Sequence, residues 1–98
     1  MMPLTVATRV RLERVFVEAT DRVEASALLE NDCADNLPLV LGTAPELVER
    51  IRLAALKHSD GSMSTLRAAI ALARTDWRDL LVTAGFSDDE HAPERWEP

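Results

Sequence analysis

Apolar residues in this chain recur at three- and four-residue intervals, and the runs break where helix ends prefer to break. The fullest case is Asp76-Trp77-Arg78-Asp79-Leu80-Leu81-Val82-Thr83-Ala84-Gly85-Phe86. Trp77, Leu80, Leu81 and Ala84 follow the i, i+3, i+4, i+7 rule and share one helix face. Asp76 stands where an N-cap belongs, with a carboxylate able to accept a first-turn amide. Asp79 adds negative charge to that turn, where the helix dipole favours it. Gly85 supplies the left-handed stop, and Phe86 is placed to fold back onto the stripe.

The same grammar reads backwards along the chain. Thr43 as N-cap, Pro45 in the first turn and Glu46 completing a capping box predict a helix over 45–58. Leu47, Val48, Ile51, Ala54, Ala55 and Leu56 give it a broad apolar face. Ser59-Asp60-Gly61 breaks it. Ser62 caps the next helix, 62–74, with face Met63, Leu66, Ala69, Ile70 and Ala73. Near the start, Leu4, Val6, Val10 and Leu12 alternate as in a strand. Leu12, Val15, Phe16, Ala19 and Val23 instead fall at helical spacing, and a lone strand lacks a pairing partner, so 5–19 reads as a helix. Asp21 and Glu24, three apart, mark either a second helix start or a bend, with Ala25, Leu28 and Leu29 as its face. Asn31 to Asn36 end it. Pro38 biases Leu37 toward extended backbone. Leu37, Leu39, Val40 and Leu41 are too apolar for water, so the loop 33–42 is expected to lie across the core. The sum is an all-α fold, a compact bundle of four or five short helices with an apolar loop around residues 33–42.

Size allows one core. The chain has 98 residues, nearly half of them hydrophobic and only four aromatic, which suits helix-on-helix packing by aliphatic side chains. Residues 1–86 read as the single helical domain. Residues 87–98 read as an acidic tail, in which Asp88, Asp89, Glu90, Glu94 and Glu97 face one Arg95, a net of −4. The whole chain carries −6, so the body is left with only −2. Trp96 in that tail favours folding back against its own domain, near Trp77 or Phe86, because burial of a large apolar side chain stabilises by about 2–3 kcal/mol. Docking of Trp96 into a partner is the alternative.

Candidate chemistry is sparse. Cys33 is alone, which rules out an internal disulfide and points to a reducing compartment. Its neighbours Glu30, Asp32 and Asp35 disfavour a thiolate, so it reads as an inert helix-end cysteine. The same acids fail the spacing of a calcium loop, since Ala34 and Leu37 fill the third and sixth places counted from Asp32. His58 and His91 are far apart and outside any ligand spacing. Lys57-His58-Ser59-Asp60 holds triad letters, but triads are made by convergence in space. No glycine-rich phosphate loop is present. The reading is therefore of no catalytic residue, no cofactor and no metal. Charges at Arg9, Arg11, Glu13 and Arg14 interrupt any signal-peptide core, and no apolar run is long enough to span a membrane, which together suggest a cytoplasmic protein.

Two readings of action remain. Helices 45–58 and 62–74 outline a helix-turn-helix whose second member offers Arg67 and Arg74. The acidic balance disfavours nucleic acid, and Glu13 and Glu18 dilute the basic patch of Arg9, Arg11 and Arg14. The stronger reading is protein binding, to an unidentified protein partner or in a homodimer. Val6, Val10 and Val17 form a second stripe on the first helix, away from Leu12 and Phe16. Cover by a second side of the bundle, or by the 33–42 loop, is the first expectation for them; a partner surface is the other. Arg78 leaves the buried stripe of its helix and can pair with Asp79, with another helix or with the acidic tail. Val6, Val10, Val17, Arg78 and Trp96 are thus the candidate partner surface. Size and acidity match immunity-like or antitoxin-like binders, an analogy of composition alone. The Asp76-Trp77-Arg78-Asp79-Leu80-Leu81 stretch with its later Trp resembles the ends of small bacterial helical proteins, and the resemblance implies no activity.

Overall fold

A computed structural model describes residues 2–34, 37, 45–87, 89 and 91–98. Five helices occur among them: α1 Val6–Val15, α2 Ala19–Asp32, α3 Pro45–Ser59, α4 Met63–Ala84 and α5 Ala92–Arg95. The described residues contain no strand, and the all-α bundle of short helices is the observed fold.

Helix α3 is the centre. Ile51, Arg52, Leu53, Ala54, Ala55 and Leu56 are buried in succession, so the helix is enclosed all round rather than along one stripe. It packs against α1, α4 and α5, while α4 also packs against α2. Pro45 opens α3, where its missing amide leaves no bond unmade. Thr43, the expected cap, and most of the 33–42 loop lie outside the described residues. Cys33, Ala34 and Leu37, which are described, are all buried.

The α3–α4 turn uses two left-handed residues, Asp60 at φ 49° and Gly61 at φ 83°. A side chain at Gly61 would come within 3.2 Å of the Val15 carbonyl, so the turn runs hard against the end of α1. Ser62 caps α4 by accepting from the Thr65 amide. Leu66, Ala69, Ile70 and Ala73 are buried as the spacing required. At Asp76 the backbone leaves helical geometry (φ −154°, ψ 86°), and its Oδ1 accepts from the Asp79 amide at 3.3 Å. Asp76 thus caps the second half of a kinked α4. The end is a complete Schellman motif: Gly85 is left-handed, its amide bonds Val82, and the Phe86 amide bonds Leu81.

The N-terminal third differs from expectation. One helix over 5–19 is replaced by α1 ending at Val15 and α2 beginning at Ala19. Phe16 takes extended backbone, is 1% exposed and closes α1 through its amide to Leu12. The break lets Phe16 enter the core while the chain reverses, and Arg22 secures it by donating to the Phe16 carbonyl at 2.6 Å and the Glu13 carbonyl at 2.8 Å. The start of α1 then lies beside the end of α2, as the bond from the Met2 amide to the Glu30 carbonyl records. Asp21 falls in the first turn of α2 rather than at its cap, and Glu24 pairs with Arg67. Val23, expected beside Leu12, is 73% exposed. Local spacing had placed it on a continuous helix that the break at Phe16 removes.

Candidate protein-binding surface and the carbonyl clasps

Val6, Val10 and Val17 are exposed at 81%, 41% and 75%. Cover by the chain itself, the first expectation for them, is not what the structure has. Val6 and Val10 stand one turn apart on α1, opposite the face that buries Thr8 and Leu12. Val17 follows the helix end. Val23 lines a shallow groove of about 320 Å³ between α1 and α2, together with Arg9, Glu13, Arg22, Ser26 and Glu30. The charges of this groove are balanced internally: Arg9 lies 3.9 Å from Glu30, and Arg22 is turned to carbonyls. What the face presents is apolar side chains with mixed, compensated charge.

The other two candidate residues have partners of their own. The Arg78 guanidinium lies over the Trp77 ring, 5.2 Å from its centroid, a cation–π arrangement rather than one of the expected carboxylate pairs. Trp96 is half-buried and tilted at 59° against Phe86, centroids 6.2 Å apart. Arg11 draws this segment onto α1, donating from Nε to the Trp96 carbonyl and from Nη2 to the Glu94 carbonyl, both at 3.0 Å.

Arg11 is one of a set. Lys57 donates to the Ala84 carbonyl at 2.8 Å, at the end of α4, and also sits over the Phe86 ring. Arg50 takes the carbonyls of Phe86 and Ser87. Arg22 takes those at the end of α1. Arg52, fully buried, takes the carbonyls of Cys33 at the end of α2 (2.7 Å), Pro3 (3.2 Å) and Met2 (2.6 Å). Carbonyls at helix ends lack intrahelical donors and carry partial negative charge, so a guanidinium from another element both satisfies and locates them. Five of the eleven cationic side chains thus donate to main-chain carbonyls of another part of the chain, and of the other six Arg9, Arg67 and Arg95 lie against carboxylates.

The Arg52 site is the most demanding of these. Its Nη1 also donates to Glu49 at 2.5 Å. Glu49 accepts in turn from Thr8 Oγ1 at 2.5 Å, and Thr5 caps α1 by accepting from the Thr8 amide. Every nitrogen of this buried guanidinium thereby has an acceptor, as burial of charge requires. Sequence reading passed over Arg52 and Glu49. A signal was present: Arg52 interrupts the run Ile51 to Leu56 and falls on the face of Val48, Ala55 and Ser59.

Cys33 lies within reach of this network and is completely buried. Burial pushes its thiol up to about 12, Arg52 opposes the shift, and Glu49 and Asp32 add to it. The thiolate is therefore suppressed in the folded chain. At about pH 8, alkylation is expected only in step with unfolding, and mass spectrometry of maleimide labelling across a urea series checks this.

The remaining sequence candidates do not converge. Ser59 is buried and donates to the Leu56 carbonyl at 2.6 Å, while Asp60 points into solvent, so Lys57-His58-Ser59-Asp60 builds no relay. Among the described residues, no group of three His, Cys, Asp or Glu side chains is placed to hold a metal, and no helix is long and apolar enough to cross a membrane. No protein-family model, curated protein or solved structure matches this chain.

Proposed function

We propose that this is a non-catalytic protein that acts by protein–protein binding or self-association, through the α1–α2 face bearing Val6, Val10, Val17 and Val23. The exposure of those four valines carries the reading. Full burial of an exposed valine stabilises a complex by about 1.5–3 kcal/mol, with less to gain at the partly covered Val10, and none of the four belongs to the core of the free chain. The internally balanced charge of the groove that Val23 lines suits a protein surface better than a polyanion. Among the described residues no buried side-chain polar atom lacks a partner. A binder in the style of immunity or antitoxin proteins, at work in the cytoplasm, is consistent with the size and acidity.

The helix-turn-helix reading has less support. Its first helix, α3, is enclosed by the bundle, and Arg67 on its second is paired with Glu24. Retention on DNA at low salt, lost as salt rises, is the observation that would restore it.

Replacing Val6 and Val10 by Ser is expected to leave stability within about 0.5 kcal/mol, since both side chains are exposed. The same change is expected to abolish association. Light scattering over a concentration series reads self-association, and affinity capture from the native cell reads a stoichiometric partner. A monomer that captures the same proteins with or without the two valines removes this reading.

A further inference from the structure

The segment 91–98 lies on the body as a ligand lies in a site. Its main-chain carbonyls at Glu94 and Trp96 are held by Arg11, and the Trp96 ring rests on Phe86. Pro93 is buried, and the short α5 packs on α3. Ala92 and Trp96 complete the contact with the core. These contacts read the backbone and one aromatic ring, and leave the flanking residues to the charge of the seat.

The seat is also incompletely filled. An open cavity of about 420 Å³ remains beside Trp96 and Pro98, bounded by Arg14, Val15, Leu56, Lys57 and Asp60. Its charged lining is two cations against one acid. With Arg11 the seat is a positive surface, set against a 12-residue stretch, 87–98, of net charge −4. Shape and charge thus describe the ligand: a short acidic peptide with one helical turn before a tryptophan, carrying more bulk beyond the tryptophan than this chain's own segment supplies.

We infer that the seat formed by Arg11, Arg14, Lys57 and Phe86 is a second protein-binding site, for a short acidic tryptophan-bearing segment of a partner protein, and that residues 91–98 occupy it as a displaceable internal competitor. The site adjoins the valine face, since Arg14 stands one turn beyond Val10 on α1, but the contacts that hold residues 91–98 use none of the valines. A tethered segment competes at an effective concentration in the millimolar range, so the free chain resists weak ligands and yields to a better-fitting one.

The test uses a fluorescent peptide with the sequence of residues 89–98, titrated into the full chain and followed by anisotropy. Trp96→Ala weakens the internal competitor, and this variant is expected to bind the peptide about tenfold more tightly than the unaltered chain. Adding Arg11→Met is expected to lose the binding, as is replacing the peptide's tryptophan by alanine. Val6→Ser with Val10→Ser is expected to change nothing in this assay, which separates the two sites. Circular dichroism verifies that each variant keeps its helices. Equal binding by Trp96→Ala and the unaltered chain, or binding by neither, overturns the inference. Concentration-dependent dimers of the unaltered chain that vanish in Trp96→Ala assign the seat to a second copy and overturn the foreign partner. Hydrogen exchange on the unaltered chain is an independent check. The Glu94 and Trp96 amides, bonded to His91 and Pro93, are expected to exchange well ahead of those in α3. Exchange of both at the rate of the core overturns displacement.

Discussion

Arg52→Met is expected to destabilise the chain by about 3–5 kcal/mol, the range found when one partner of a buried ion pair is removed. Methionine keeps much of the apolar stem but donates nothing. Three carbonyls, those of Met2, Pro3 and Cys33, lose their guanidinium donor, and Glu49 keeps its charge with only hydroxyl donors beside it. The loss is set against a total stability of about 5–15 kcal/mol for a domain of this kind, so the variant is expected to be marginal at room temperature. Urea unfolding followed by circular dichroism measures it. A local signature accompanies the global one: the amides of Met2 and Leu4, bonded to Glu30, are expected to lose exchange protection first. Glu49→Gln keeps an acceptor for Thr8 and is expected to cost less. A double-mutant cycle with Arg52→Met gives the coupling of the pair. A cost below about 1 kcal/mol for Arg52→Met would show that the clasp does not hold the N-terminal segment.

Phe86→Ala is the second large effect, again about 3–5 kcal/mol, as for other fully buried phenylalanines. Phe86 is 1% exposed and stands at a junction. Its ring meets Trp96 on one side and the Lys57 ammonium at 4.9 Å. Its carbonyl takes Arg50 and its amide closes α4. Alanine leaves the backbone bonds in place and removes the ring, so the change isolates packing. Trp96 loses its aromatic support, and a red shift and easier quenching of tryptophan fluorescence are expected below the unfolding transition. Trp77, the other tryptophan, is followed by comparison with Trp96→Ala. A fluorescence change that occurs only with global unfolding would mean that Trp96 is held without the Phe86 ring.

Much of the fold was legible because its determinants are local. The caps at Ser62 and Asp76, the stop at Gly85 and the apolar stripes of α3 and α4 all follow from residues within one or two turns. The body-hugging position of Trp96 followed from the cost of exposing an indole. The boundary of α1 was not legible. Val15, Phe16 and Val17 continue a helical pattern, and only the reversal of the chain, held by Arg22 at a range of six to nine residues, makes the break favourable. Val23 was misplaced for the same reason. The valine stripe was visible as a pattern, but exposure depends on what else packs there, and spacing along one helix carries no such information.

By itself the sequence determined the class of fold, the number of helices within one, most of their ends and the absence of any recognisable motif for catalysis or metal binding. These are consequences of hydrogen bonding and periodicity over a few residues. Tertiary structure decided the rest: which cation meets which carbonyl, which valines stay in water and where the acidic segment rests. Arg11 reaches residues 83 and 85 positions away, and Arg52 residues up to 50 away. A guanidinium can serve any carbonyl that arrives in front of it. Only the packing of the helices determines which one does.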